Sequence, residues 1–320
     1  MWILLNPNNV LSPSKARKMS LEDIERMVLH MRDIDPTNAE IVKALNTHGP
    51  RNLSLIAKKL KLPSSTVRAR FSKLMNNGRF WIEALPNRSK LGLSPMIAIL
   101  ECHPNRMQQL QGIVENLGYW IYIARCYGKF QGLHAIFAFP TEHRENAEAY
   151  FEEAKKSGAI SQAQLIWITE LLMAYPNFQW FDFEKKAWNF QWQTWIEEVL
   201  NTSSYKLPSG FLTSEPNTAE VDEEDLEILY EVCKNAQVGF AELAKKLGMT
   251  PQAVRYRYYN HIVERGLIKR YYVWLFPYHP NMADYCGFVI HFEDESYLRK
   301  FASSLADKPF SIYYTKALKE

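Results

Sequence analysis

Leu55–Asn77 reads LIAKKLKLPSSTVRARFSKLMNN, and its grammar returns at Leu243–Val263 as LAKKLGMTPQAVRYRYYNHIV. Ile56-Ala57-Lys58-Lys59-Leu60 matches Leu243-Ala244-Lys245-Lys246-Leu247, and Val67-Arg68 with Arg70-Phe71 matches Val254-Arg255 with Arg257-Tyr258. An internal repeat sets the architecture, and two copies are too few for a solenoid. They predict two copies of one small module.

Periodicity says what that module is. Leu55, Ile56 and Leu60 recur at helical spacing, as do Val67, Phe71 and Leu74. Pro63 between the two runs suits the first turn of a helix and not its interior, and Ser64 and Ser65 can cap exposed amides there. In the second copy Gly248 can close one helix, while Thr250-Pro251 is a cap followed by proline at the first helical position. A further amphipathic helix precedes each copy, through Ile41, Val42 and Leu45 and through Leu226, Leu229 and Val232. A β-rich stretch follows each, Phe80–Leu85 and Ile268–Leu275. Three helices and a β-wing predict a winged helix-turn-helix, twice.

The polar residues point to a partner. With Val67, Phe71 and Leu74 in the core, Ser64, Ser65, Thr66, Arg68, Ala69, Arg70, Ser72 and Lys73 are candidate DNA contacts of the first recognition helix. Thr250, Gln252, Arg255, Tyr256, Arg257 and Tyr259 are those of the second. Lys58, Lys59, Lys61, Arg79, Arg88 and Lys90 add positive charge around the first, although the chain as a whole carries only +3. A single basic helical face is more often merely solvated. Its recurrence on the predicted recognition helix favours double-stranded DNA.

Composition bounds the alternatives. At 320 residues the chain is long enough for several domains, and 47% hydrophobic with 23% charged residues is ordinary for a globular protein. No apolar run approaches the ~20 residues that span a bilayer. Met1–Leu5 reads as too short an apolar run for a signal peptide, which predicts a cytoplasmic location. Cys102, Cys126, Cys233 and Cys286 are widely separated and the eight histidines show no metal-ligand spacing, so neither a metal site nor a cofactor is expected.

Downstream the period changes. Met96–Cys102, Tyr119–Arg125, Leu133–Phe139 and Gln164–Thr169 read as strands; Met107–Leu117 and Arg144–Lys156 read as helices. The order β-α-β-β-α-β is the ferredoxin-like split unit. The fold class expected is therefore α+β. The domain plan is an N-terminal extension at 1–37, a winged helix-turn-helix at 38–90, a ferredoxin-like domain at 91–172, an aromatic-rich connector at 173–221, a second winged helix-turn-helix at 222–276 and a partial ferredoxin-like domain at 277–320. Ser20 is expected to cap a helix in the extension. Phe178, Trp180, Phe181, Phe183, Trp188, Phe190, Trp192 and Trp195 are expected to be a packing surface rather than a stacking platform for single-stranded nucleic acid. In the partial domain Asp284–Phe292 is expected as a strand, Tyr297–Leu305 as a helix and Phe310–Ala317 as a second strand. Half a sheet would leave an open edge. Either the chain is a piece of a longer protein, the favoured expectation, or another segment completes the sheet.

A winged helix-turn-helix followed by this domain resembles the Lrp/AsnC family of prokaryotic transcription regulators. The resemblance is carried by Leu60–Leu74, LKLPSSTVRARFSKL, and by the turn Gly128-Lys129-Phe130-Gln131, and it spans most of the chain. It implies a DNA-binding regulator rather than an enzyme. It also implies RAM-like sandwich domains that pair, as a homo-oligomer or an intramolecular pseudo-dimer. An amino-acid-like effector would contact Gly128, Lys129, Phe130 and Gln131; Gln131 stands where the family usually has aspartate. Siroheme decarboxylases resemble the same family, which implies a competing enzyme reading with His134 and Arg125 as the nearest candidates for a tetrapyrrole site. A third reading uses the helix-turn-helix for protein contacts.

Overall fold

The computed structural model describes residues 34–76, 81–174, 177–212, 218–274 and 286–318. Residues 1–33 of the extension, with Ser20, and Arg79 lie outside them.

Three helices build the first unit: α1 (Pro36–His48), α2 (Leu53–Leu60) and α3 (Ser64–Asn76). Asp35 caps α1 by accepting from the Asn38 amide at 2.7 Å, and Asn52 caps α2 by accepting from the Leu55 amide at 3.0 Å. Ile34, Ile41, Val42, Leu45, Ile56, Ala57, Val67 and Leu74 are buried between them.

Strand β1 (Ile82–Pro86) follows, then the sandwich: β2 (Leu93–Glu101), α4 (Met107–Asn116), β3 (Trp120–Cys126), β4 (Gly132–Pro140), α5 (Arg144–Lys156) and β5 (Gln162–Trp167). The sheet is antiparallel in the order β3-β4-β2-β5, which is the expected split unit. Met96, Ala98 and Leu100 pack with Leu110, Val114 and Phe151 of the helices. At Gly132 the backbone passes so close to Leu100 that a Cβ would lie 1.9 Å from its carbonyl oxygen.

Short strands β6 (Leu172–Met173), β7 (Phe181–Asp182) and β8 (Ala187–Trp188) lead to α6 (Trp192–Asn201). The β7–β8 hairpin brings Phe178, Phe181, Phe183 and Trp188 against the core of the first unit. Phe190, Trp192 and Trp195 instead gather around Phe310. The aromatic stretch is thus packing surface.

The second unit repeats the first without insertion. It consists of α7 (Glu223–Lys234), α8 (Phe240–Leu247) and α9 (Pro251–Tyr256), the last running on as a π-helical turn, Arg257–Val263. Asp222 caps α7 as Asp35 caps α1, and Thr250 caps α9. Strand β9 (Ile268–Val273) closes the unit, and α10 (Glu295–Leu305) and β10 (Tyr313–Tyr314) follow.

Two expectations are corrected. The β-rich stretches do not fold back as separate wings among the described residues; β1 and β9 pair antiparallel with each other, Ala84 opposite Tyr271 and Ile82 opposite Val273. Val273 enters the core of the first unit and Ala84 that of the second. The Val273 amide donates to Asn46 Oδ1 at 2.8 Å, and the Ala236 amide donates to the Ile82 carbonyl at 2.8 Å. Each unit therefore completes the other, because a lone strand would bury unpaired amides. The partial second domain also departs from plan. Residues 286–292 join no ladder, with Phe288 80% exposed, while the C-terminal strand follows the segment after the first sandwich: β10 pairs with β6 in a two-stranded sheet, Ala317 bridges Ile168, and the Leu318 amide donates to the Trp167 carbonyl at the end of β5.

Candidate nucleic-acid interface

Helix α3 buries Val67 and Leu74, so that Ser64, Ser65, Arg68, Ala69, Ser72 and Lys73 are exposed and Thr66 is half-buried. Arg68 reaches Ser54 of α2 at 3.3 Å, which steadies its guanidinium at the exposed face. Lys58, Lys59 and Lys61 are exposed beside it; among the described residues none of them, nor Lys73, is in an ion pair. Lys61 itself sits in the left-handed region (φ 54) as the C-cap of α2, where the second unit has Gly248. The positive field is felt at His48, whose imidazole is pushed below its ordinary value by burial and by Lys59.

The corresponding face of the second unit differs. Thr250, Gln252, Arg255, Tyr256 and Tyr259 are exposed, and Arg255 lies over the Tyr259 ring at 5.8 Å. Val254, Tyr258 and Ile262 form its buried side.

Two predicted contacts have other work. Arg70 Nη1 donates to Asp35 at 2.6 Å and to Asn38 at 2.9 Å, pinning α3 to the start of α1. Arg257, at the matching position, donates to Asp222 at 2.7 Å and to Asp225 at 2.8 Å and also pairs with Glu224. These hydrogen bonds, led by the one to Asp222, hold the Arg257 guanidinium even more firmly protonated than usual. Asp222, Asp225 and His261 bring their ligand atoms within 4.8 Å of one another, and it is the Arg257 guanidinium that neutralises the group. Arg88 and Lys90, expected beside the first recognition helix, face inward. Arg88 is 6% exposed and pairs with Glu170 at 3.6 Å, and Lys90 donates to the Arg265 carbonyl at 2.6 Å. The cue that was missed is the acid at the helix cap, Asp35 and Asp222, standing at the same distance before each arginine.

Gly128, Lys129 and Gln131 are exposed on the turn between β3 and β4, with Phe130 half-buried and Gly128 at φ +116. His134 and Arg125 are not brought together. His134 is opposite Ala124 in the ladder, and its Nε2 lies 3.1 Å from the Tyr313 hydroxyl. Arg125, one residue on, is on the other face, lining a shallow cavity of about 460 Å³ with Gln108, Gln111, Gly112 and Glu115 of α4.

Residues 221–260 match the model of the AsnC-type helix-turn-helix domain. No curated protein matches the chain. Among solved structures it is similar to an AsnC-family transcriptional regulatory protein from Pyrococcus furiosus, at 20% identity over 43% of this chain and 90% of that one, with a TM-score of 0.34. It is also similar to B. subtilis LrpC, at 16% identity over 43% and 95%, with a TM-score of 0.35. The siroheme decarboxylase NirDL gives 12% identity over 78% of this chain and 65% of that one, with a TM-score of 0.41. The family match thus falls on the second three-helix unit, which carries the pattern of an AsnC-type helix-turn-helix domain.

Proposed function

We propose that the chain is a sequence-specific, DNA-binding transcription regulator in which two helix-turn-helix units of one polypeptide act as a covalent pseudo-dimer. The observation that carries this reading is the exposed set Ser65, Arg68, Ser72 and Lys73 on α3, flanked by Lys58, Lys59 and Lys61. Hydroxyls and a guanidinium can reach base edges in the major groove, and the lysines can meet phosphates. The β1–β9 ribbon supports the pseudo-dimer: it joins the units around the Ala84–Tyr271 pair, with equivalent elements exchanged on either side. Because Ser65, Thr66 and Ala69 answer to Gln252, Ala253 and Tyr256, the operator is an asymmetric sequence rather than a palindrome. The exposed turn at Gly128–Gln131 adds nothing that favours an effector, and His134 and Arg125 on opposite faces do not favour the tetrapyrrole enzyme.

The test is a titration of the purified chain against its own upstream DNA and an unrelated duplex at two salt concentrations. Binding that prefers the upstream DNA and weakens with salt supports the reading; no binding at low salt overturns it. Arg68→Ala is expected to cost about 1–3 kcal/mol of sequence discrimination, roughly 10- to 100-fold. Competition between cognate and unrelated duplexes measures it, and unchanged discrimination would remove Arg68 from the base-reading set.

A further inference from the structure

The two units share their order of three helices and differ in the sign of their net charge. From Asp35 to Asn76 the first carries eight lysines and arginines against two acids, a net +6. Over the same length, Asp222 to Val263, the second carries five against seven, a net −2. Ion pairing differs as well. In the second unit Lys234 and Lys246 are held by Glu231 at 3.2 and 2.8 Å, and Lys246 also meets Glu242 at 3.5 Å. Arg257 is enclosed by Asp222, Glu224 and Asp225. That leaves Lys245 and Arg255 without an acid partner among the described residues. In the first unit Lys58, Lys59, Lys61, Arg68 and Lys73 are all in that state, and only Arg70 is spent on a carboxylate. The outward faces follow suit. Ala69, Ser72 and Lys73 correspond to Tyr256, Tyr259 and Asn260; Tyr256 is 60% exposed and Tyr259 43%.

We propose, resting on the DNA-binding reading, that the attraction for phosphates comes from the first unit: its lysines take the phosphate backbone, while the second unit, net −2 over the same length, adds no net attraction and contributes base contacts. A unit of net −2 has no overall attraction for a polyanion, whereas one of net +6 does. Counterion release then comes from the first unit. The ribbon holds the second recognition face at the other half-site, where Gln252 and Arg255 are exposed.

The positional twins Lys58/Lys59 and Lys245/Lys246 allow a direct comparison in the full chain. The affinity for the preferred duplex is measured across a salt series for the wild type, Lys58→Ala/Lys59→Ala and Lys245→Ala/Lys246→Ala, with far-UV circular dichroism checking that each is folded. Loss of two phosphate contacts flattens the slope of log K against log salt by about 1.8. That flattening is expected for the first pair, with the slope of the second unchanged. Equal flattening by both pairs, or flattening by the second pair alone, would overturn the assignment while leaving the regulator reading intact. A wild-type chain that binds no DNA at low salt would overturn both. Should Lys245→Ala/Lys246→Ala not fold, Lys245→Ala alone against Lys58→Ala gives the same comparison at about 0.9 in slope.

Discussion

Stability of the joined units is expected to fall steeply between pH 5 and pH 8 and to stop falling in Glu83→Gln. Glu83 lies on β1, opposite Tyr272 of β9, and is 2% exposed. Trp81 Nε1 donates to Oε1 at 3.0 Å. Burial pushes the carboxyl from 4.5 up to about 8, with the indoles of Trp274 and Trp81 opposing. Between those two values the unfolded chain is ionised while the folded one keeps its proton. Folding is therefore favoured in full below pH 4.5, loses about 1.4 kcal/mol per pH unit above it, and has lost on the order of 5 kcal/mol once the pH passes the folded value. The carboxamide of the Glu83→Gln variant would keep an acceptor for the indole and have nothing to titrate. Urea midpoints at pH 5 and pH 8, read by tryptophan fluorescence, should converge in the variant. A wild type as stable at pH 8 as at pH 5 would show that Glu83 is ionised in the fold.

The same ribbon marks where sequence reading stops. Local signals sufficed for the helices, because their apolar spacing and a cap such as Thr250 act within a few residues of themselves. The sandwich was legible for a similar reason: an alternating strand with one buried face has its register dictated by its own side chains. Arg144–Lys156 was placed to the residue. Phe80–Leu85 and Ile268–Leu275 were read as strands, but their partner was not. A lone strand is satisfied by any edge, and the edge β1 takes lies nearly two hundred residues away. The C-terminal strand departs likewise, since β6, just after the first sandwich, offers the edge that a second sheet was expected to supply. In the candidate interface the exposed face of α3 was legible from the buried spacing of Val67, Phe71 and Leu74. The role of Arg70 and Arg257 was not, because a guanidinium on a helix near a groove and one tying two helices together have the same spacing. What separates them is an acid thirty-five residues upstream.

That distinction predicts different costs at one position of the repeat. Arg257→Ala is expected to destabilise the second unit by about 3–5 kcal/mol, because Asp225 is 1% exposed in its side chain and would keep a buried charge beside Asp222 and Glu224. His261, 3.0 Å from Asp225, and Arg265, 3.9 Å away, remain as partial compensation, which favours the lower end of that range. Arg70→Ala faces a different setting. The Arg70 and Asp35 side chains are 34% and 42% exposed, and the first unit has Asn38 where the second has Asp225. Water screens the carboxylate that is left, so a loss of about 0–1 kcal/mol is expected. Denaturant unfolding of both variants gives the comparison, and their DNA affinity gives the second arm. A tying arginine lowers stability and leaves the salt slope of the surviving folded protein as it was. An arginine on a phosphate does the reverse, leaving stability alone and flattening the slope by about 0.9. If Arg257→Ala unfolds at the wild-type midpoint, the acids around it are solvated and its place among the DNA contacts is restored.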